Sequence, residues 1–263
     1  MAEVLELDPA SKNFRDNARA IFSRLLREQP VAQLADGRFL VCTHADVGRA
    51  LKDHAAFRRP TEWSNDRKPE GPFREFGRNN MIGMNPPDHT RFRKAIMRAF
   101  APKRVEALTQ LIERTCDALI DDMAEKGSGD FITDFALPLP ITVICVMLDI
   151  SVADQHLFAK GTAAMLAGLE ISASAEEFAA AAQSAQELFD YLHAIAAERE
   201  NQLGDDLISL LIRHEQEDKL SRTEVVWAAI SLLIAGHETT THLIGNGLLA
   251  LMHNPAQAQQ LVA

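Results

Sequence analysis

The string Ala235-Gly236-His237-Glu238-Thr239-Thr240 sets a carboxylic acid beside an alcohol, the two residue types that hand protons through ordered water to a bound ligand. Glycine costs a helix interior about 1 kcal/mol relative to alanine. Threonine hydroxyls bond back to the carbonyl four residues earlier and bend the ladder. Gly236 followed by Thr239, Thr240 and Thr241 therefore predicts a weakened, bent helix with a groove beside Glu238 and Thr239. The competing reading is a helix that carries one glycine on its packed face. A second group is Met84-Asn85-Pro86-Pro87-Asp88-His89-Thr90-Arg91-Phe92-Arg93. Two prolines and Asp88 open a helix on which His89 and Arg93, four apart, share a face and Arg91 is turned away. Donors so placed grip carboxylates, Arg bidentately. The same spacing also describes an ordinary solvated helix face.

Both groups need long elements to hold them. The first sits in a helix read from about Arg222 to His253, opened by the capping pair Ser221 and Glu224. Roughly thirty residues at 1.5 Å each make a rod of about 45 Å, enough to cross the molecule. Asn254-Pro255 then reads as the N-cap and first turn of a further helix. Upstream, Pro140 to Leu148 is apolar on every side, the pattern of a helix enclosed by others. Ala175 to Glu200 is alanine-rich and amphipathic, and Asp205 reads as the cap of a helix through His214. Pro102 leads an apolar face through Val105, Leu108, Leu111, Ile112, Leu119 and Met123 to Gly127. Near the N-terminus, Asn13 to Gln29 is an amphipathic helix stopped by Pro30. Val31 to Ala35 and Arg38 to Cys42 flank Asp36-Gly37 as a hairpin with a two-residue turn. Thr43 and Asp46 cap a short helix through Lys52. Between Phe57 and Gly83 the periodicity vanishes, which predicts a long irregular loop, and loops of that length are usually functional. The fold class expected is mainly α with a small β hairpin: hairpin at 30–43, loop at 57–83, helical part at 88–263.

Composition narrows the partners. Lys and Arg total 27 against 37 Asp and Glu, a net charge of -10, which disfavours general attraction to nucleic acid or anionic lipid. The longest nearly apolar stretch, Val225 to Gly236, is too short to span a bilayer and runs into His237 and Glu238. The start, MAEVLELDPA, carries acidic residues where a secretory leader carries basic ones, so a cytoplasmic setting is expected. Cys42, Cys116 and Cys145 lie far apart with no C-x-x-C pair, and signal neither a disulfide framework nor a zinc site.

Taken together, PPDHTRFRKAIMRAFAPKRV, DFALPLPITVICVMLDI, GDDLISLLI and LSRTEVVWAAISLLIAGHETTTHLIGNGLLALMHNP resemble, in order and separation, a bacterial-type cytochrome P-450. The resemblance runs from the hairpin to Pro255. It implies a haem-dependent monooxygenase that hydroxylates an apolar small molecule, with electrons from NAD(P)H reaching it through a ferredoxin-type partner. His89 and Arg93 would hold the haem propionates. Ala235 and Gly236, lacking bulk, would admit oxygen and substrate, and Leu232 with Ala235 would line the substrate site. Glu238 and Thr239 would be the acid and alcohol that relay protons during oxygen activation. Further substrate contacts would come from 57–83 and from Lys160 to Ser174. The family's iron-ligating cysteine follows the long helix, after a Glu-x-x-Arg helix, and none of the three cysteines here matches it. The expectation is that 1–263 is the N-terminal part of one such domain, incomplete at its C-terminal side and inactive alone, with the iron ligand beyond Ala263.

Three other readings stand beside this one. His237-Glu238-Thr239-Thr240-Thr241-His242 resembles a zinc-protease motif, but its histidines are five apart and so about 140° round a helix from each other. Asp121-Asp122-Met123-Ala124-Glu125, with Asp205, Asp206 and Ser209, approaches an Mg²⁺-diphosphate site of an isoprenoid synthase, although Arg213 stands where a carboxylate is wanted. A non-catalytic helical module that keeps half of the scaffold is the third.

Overall fold

The computed structural model describes residues 4–5, 11–34, 37–59, 70–170, 173–216 and 220–262. The chain divides into two compact units, Met1–Arg59 and Pro60–Ala263.

In the first unit, β1 (Val4–Leu5) runs parallel to β2 (Val31–Leu34), which pairs antiparallel with β3 (Phe39–Val41). The edge strand β1 carries too few residues to show a period, so only the hairpin was legible in advance. The Leu34 N–H donates to the Arg38 carbonyl, and Gly37 stands at φ +84°. Ala35 and Asp36 of the expected turn lie outside the described residues. Helix α1 (Lys12–Glu28) is capped by Ser11, whose hydroxyl accepts from the Phe14 N–H, and α2 (His44–Lys52) by Thr43, which accepts from the Asp46 N–H.

The second unit is helical and built around one core. The expected loop at 57–83 contains α3 (Pro72–Asn79) and a 3₁₀ turn at Met81–Gly83. Pro72 sits in its first turn, and Phe73 and Phe76, three apart, both turn inward and are buried. Two inward residues in eight are too few to announce a period, but they anchor the helix on the core. Residues 60–69, including Trp63, lie outside the described set.

Next come α4 (Asp88–Ala99), α5 (Pro102–Glu106) and α6 (Thr109–Lys126). The sequence pattern runs α5 and α6 together; the chain breaks them at Ala107 and Leu108, and nothing in the local sequence explains that break. Gly127, at φ +71°, ends α6 as expected. A π-helical turn (Ile132–Ala136) leads into α7 (Pro138–Leu148), whose Leu139, Ile141, Ile144, Cys145 and Leu148 are buried. Then follow α8 (Gln155–Ala167), α9 (Ala175–Arg199) and α10 (Leu207–Gln216). Asp206, not Asp205, caps α10: its carboxylate accepts from the Ser209 N–H at 2.9 Å and also binds Arg199. Of two adjacent aspartates, the one already turned inward by the arginine takes the cap.

Helix α11 (Arg222–His253) has the length the sequence predicts, with Ser221 and Glu224 forming a reciprocal capping box. It packs against α3, α7, α8, α9, α10 and the π turn. Its first half is the centre of the core: Val225 to Ile230 are all buried, and the Trp227 ring lies 4.8 Å from Phe189 of α9 and 5.8 Å from Phe76 of α3. Helix α12 (Pro255–Val262) follows. Asn254 serves both helices: its side chain donates back to the Ala250 carbonyl at 2.8 Å and closes α11, while its own carbonyl accepts from the Ala258 N–H at 3.2 Å and opens α12, with Pro255 in the first turn as expected.

Candidate functional site on the long helix

Helix α11 has two unlike sides. Val226, Ile230, Leu233, His237 and Thr241 follow the i, i+4, i+3 spacing of one face and are buried. Ala235, Thr239, His242, Leu243 and Asn246 form the other and are exposed, Leu243 to 72%. Glu238 stands on the border, with 26% of its side chain exposed. It enters a groove of about 560 Å³ lined among others by Phe131, Leu137, Ala163, His242 and Leu249. The groove is floored by the π turn and α8, which no sequence pattern sets beside Glu238.

All three threonines bond back, Thr239 to the Ala235 carbonyl at 2.9 Å, Thr240 to Gly236 at 3.1 Å and Thr241 to His237 at 2.9 Å. The helix nevertheless continues as one α element from Arg222 to His253. The bonds therefore seat the hydroxyls without interrupting the ladder. The bare side of Gly236 faces α7, where an added Cβ would come 3.2 Å from Ile144 Cγ1. That is the packed-face reading: Gly236 serves close helix approach, and Ala235 is the small residue on the exposed side. Leu232 is half-buried and packs against the core.

His89 is half-buried and Arg93 exposed on α4, and neither side chain has a hydrogen-bond or ion-pair partner among the described residues. Arg91, two positions from each, lies about 160° round the helix. Its guanidinium clasps Glu224 in the first turn of α11, with Nη1 donating to Oε2 at 3.2 Å. Burial pushes the Glu224 carboxyl up, but the Arg91 and Ser221 hydrogen bonds outweigh it and the net shift is downward. Arg91 is correspondingly raised, first by its hydrogen bond to Glu224. The structure thus ties α4 to α11 through Arg91 and leaves His89 and Arg93 on the far side of α4. Among the described residues no hydrogen bond or ion pair joins them to Glu238 or Thr239.

Cys145 and Cys116 are poor thiolates. Cys145 is buried in α7, and burial with the nearby Asp154 pushes its thiol up to about 11; burial and Asp117 also raise Cys116. The zinc-protease geometry fails on the helix itself: His237 is buried, whereas the His242 side chain is 68% exposed. The aspartate pair of the isoprenoid reading divides likewise, since Asp206 is spent on Arg199 and Ser209. Sequence reasoning missed one pair. Buried His237 meets buried Thr162 of α8, with Nε2 3.2 Å from Oγ1, and no local signal marks Thr162 as a partner.

The family model described as cytochrome P-450 matches residues 38–263. The chain belongs to the cytochrome P-450 family. Among similar P-450s, it is 39% identical over 183 residues to cytochrome P-450 CYP107DY1 of Priestia megaterium, covering 69% of this chain and 44% of that protein. It is 33% identical to the cytochrome P-450 monooxygenase PikC of Streptomyces venezuelae, covering 99% of this chain and 62% of PikC. Among solved structures, CalO2 superposes with a TM-score of 0.89 at 27% identity, over 98% of this chain and 65% of that one. The chain thus spans less than two thirds of the length of these relatives. No helix among the described residues is long and apolar enough to cross a membrane.

Proposed function

We propose that the full-length P-450 to which this chain belongs is a haem-dependent monooxygenase of apolar small molecules in the cytoplasm, fed by NAD(P)H through a ferredoxin-type electron donor. The observation that carries the reading is the exposed strip of α11. Ala235 and Thr239 stand one turn apart on the open side, and Glu238 borders it from the adjoining groove. Such a strip accommodates a flat apolar group lying against the helix, because its smallest residue is the one left uncovered. On α4, His89 and Arg93 are donors without partners among the described residues, in a chain of net charge -10, which fits them to bind propionates. When bound, haem supplies the oxygen-activating chemistry, and a thiolate ligand is expected to tune it.

The protein's own residues then have separable tasks. Ala235 leaves room beside the helix for substrate, and Leu232 contributes apolar lining. Thr239, its hydroxyl hydrogen given to the Ala235 carbonyl, turns its oxygen lone pairs outward and orders water on the exposed face. Glu238 exchanges protons between the groove and that water. The name that PikC carries, monooxygenase, supports the class of reaction. The deciding experiment supplies the full-length, haem-loaded protein with a ferredoxin, its reductase, NAD(P)H, an apolar substrate and ¹⁸O₂. One labelled oxygen in the product is expected; label arriving only from water would refute the reading.

A further inference from the structure

Glu238 lies between two imidazoles. His237 Nε2 is 3.6 Å from Oε2, and His242 Nε2 is 3.7 Å from Oε1. The two histidines are not equivalent, because His242 stands in solvent and His237 is fully buried. A buried imidazole needs partners for both nitrogens. His237 Nδ1 lies 2.7 Å from the Leu233 carbonyl, and since a carbonyl only accepts, Nδ1 carries a hydrogen. Nε2 then has two neighbours, the Thr162 hydroxyl at 3.2 Å and the Glu238 carboxylate at 3.6 Å.

Thr162 arbitrates between them. Its single hydrogen has three acceptors in reach, Nε2 of His237, the Phe158 carbonyl at 2.7 Å and the Ala159 carbonyl at 3.3 Å. With the Nδ1 hydrogen given to Leu233, Nε2 accepts, and the Thr162 hydroxyl that donates to it is its partner on the α8 side. Without that hydroxyl, Oε2 of Glu238 is the polar side-chain atom left beside Nε2 among the described residues.

We propose that His237 is a positioning residue for Glu238, held in that role by Thr162. The hydroxyl keeps the ring engaged with α8, so the Glu238 carboxylate stays turned into its groove and towards the exposed face. Where that hydroxyl is lost, Nε2 remains an acceptor, and the Glu238 carboxyl, taking a proton from water in the groove, donates to it from Oε2 and is drawn inward. The placement of α8 therefore sets the placement of the acid. This inference rests on Glu238 being the proton-handling residue, as argued above.

Thr162→Val preserves shape and removes the hydroxyl; Thr162→Ser preserves the hydroxyl. In crystal structures of the protein, the valine variant is expected to close the Nε2 to Oε2 separation to about 2.8 Å, a formed hydrogen bond, and the serine variant to keep it near the parent value. If the valine methyl is refused at this buried position, Thr162→Ala makes the same prediction without it. In the haem-loaded protein, product formed per electron consumed is expected to fall about tenfold in the valine variant, the worth of one buried hydrogen bond, with KM unchanged and with recovery in the serine variant. In a Glu238→Gln background the valine change adds nothing. An unchanged separation, equal losses in the valine and serine variants, or the same further loss without the carboxylate would each overturn the proposal. The separation is measured without haem, so a failure to bind haem would sink the functional reading and leave this one standing or falling on its own result.

Discussion

Arg91 and Glu224, 133 residues apart in sequence, close the joint between α4 and α11. Arg91 supplies a planar guanidinium to a carboxylate that already caps its own helix through Ser221. One carboxylate therefore fixes both where α11 starts and how α4 is turned, and the second determines which way His89 and Arg93 face.

The pH dependence of that joint follows from the lowered Glu224 carboxyl. A group whose folded value lies below its ordinary 4.5 adds stability above 4.5 and loses it as the pH falls towards the folded value. Thermal unfolding between pH 7 and pH 3 is expected to show a fall in Tm that begins near 4.5. Glu224→Gln should flatten this part of the profile. Because the Arg91 side chain is 38% exposed, Arg91→Met should cost only about 1 kcal/mol at neutral pH.

Glycines separate packing from propensity. At Gly168, just past α8, an added Cβ would come 2.5 Å from Ala181 Cβ and 3.0 Å from Phe73. Gly168→Ala should destabilise by about 1–3 kcal/mol, because neither neighbour can swing away. Gly247, late in α11, has nothing within 4 Å of its would-be Cβ. Gly247→Ala should stabilise by about 0.5–1 kcal/mol through helix propensity. Gly236→Ala, 3.2 Å from Ile144, should fall between the two. Denaturant midpoints of the three variants rank them directly.

The thiols offer a check on burial. Cys145, inside α7 with its thiol pushed up to about 11, should resist an aromatic disulfide reagent at pH 8 until the protein unfolds. Labelling of Cys145 at the rate of a free thiol would mean that α7 is not enclosed as described.

Legibility in the sequence followed repetition. Helix α11 was readable because thirty residues keep one pattern and both ends carry side-chain caps, and α7 because its apolar run marks a buried element, although Val146 on it is 44% exposed. Helix α3 was hidden, since Phe73 and Phe76 supply only two inward residues and Gly71 and Pro72 look like loop. The cap of α10 was off by one because Asp205 and Asp206 differ only in what Arg199, across the fold, selects. At the site, Glu238 and Thr239 stood out by type and spacing. Gly236 was ambiguous until Ile144 was seen beside it, and the His237 to Thr162 contact joins positions 75 residues apart that share no motif.

Removing the donors on α4 should weaken haem binding without disturbing the fold. His89→Ala and Arg93→Ala alter side chains that have no partner among the described residues, so Tm of the haem-free protein should move little. Haem affinity, followed by its absorbance band, should drop about tenfold for Arg93→Ala, as befits a charge-assisted pair.

The central claim, that haem lies against the exposed strip of α11, is tested most directly by paramagnetic broadening. With isotope-labelled protein and ferric haem, the methyl signals of Ala235, Thr239 and Leu243 should vanish first, while those of Val226 and Ile230 on the buried face persist. Broadening that spares Ala235 and Thr239 and appears elsewhere on the molecule would contradict the account.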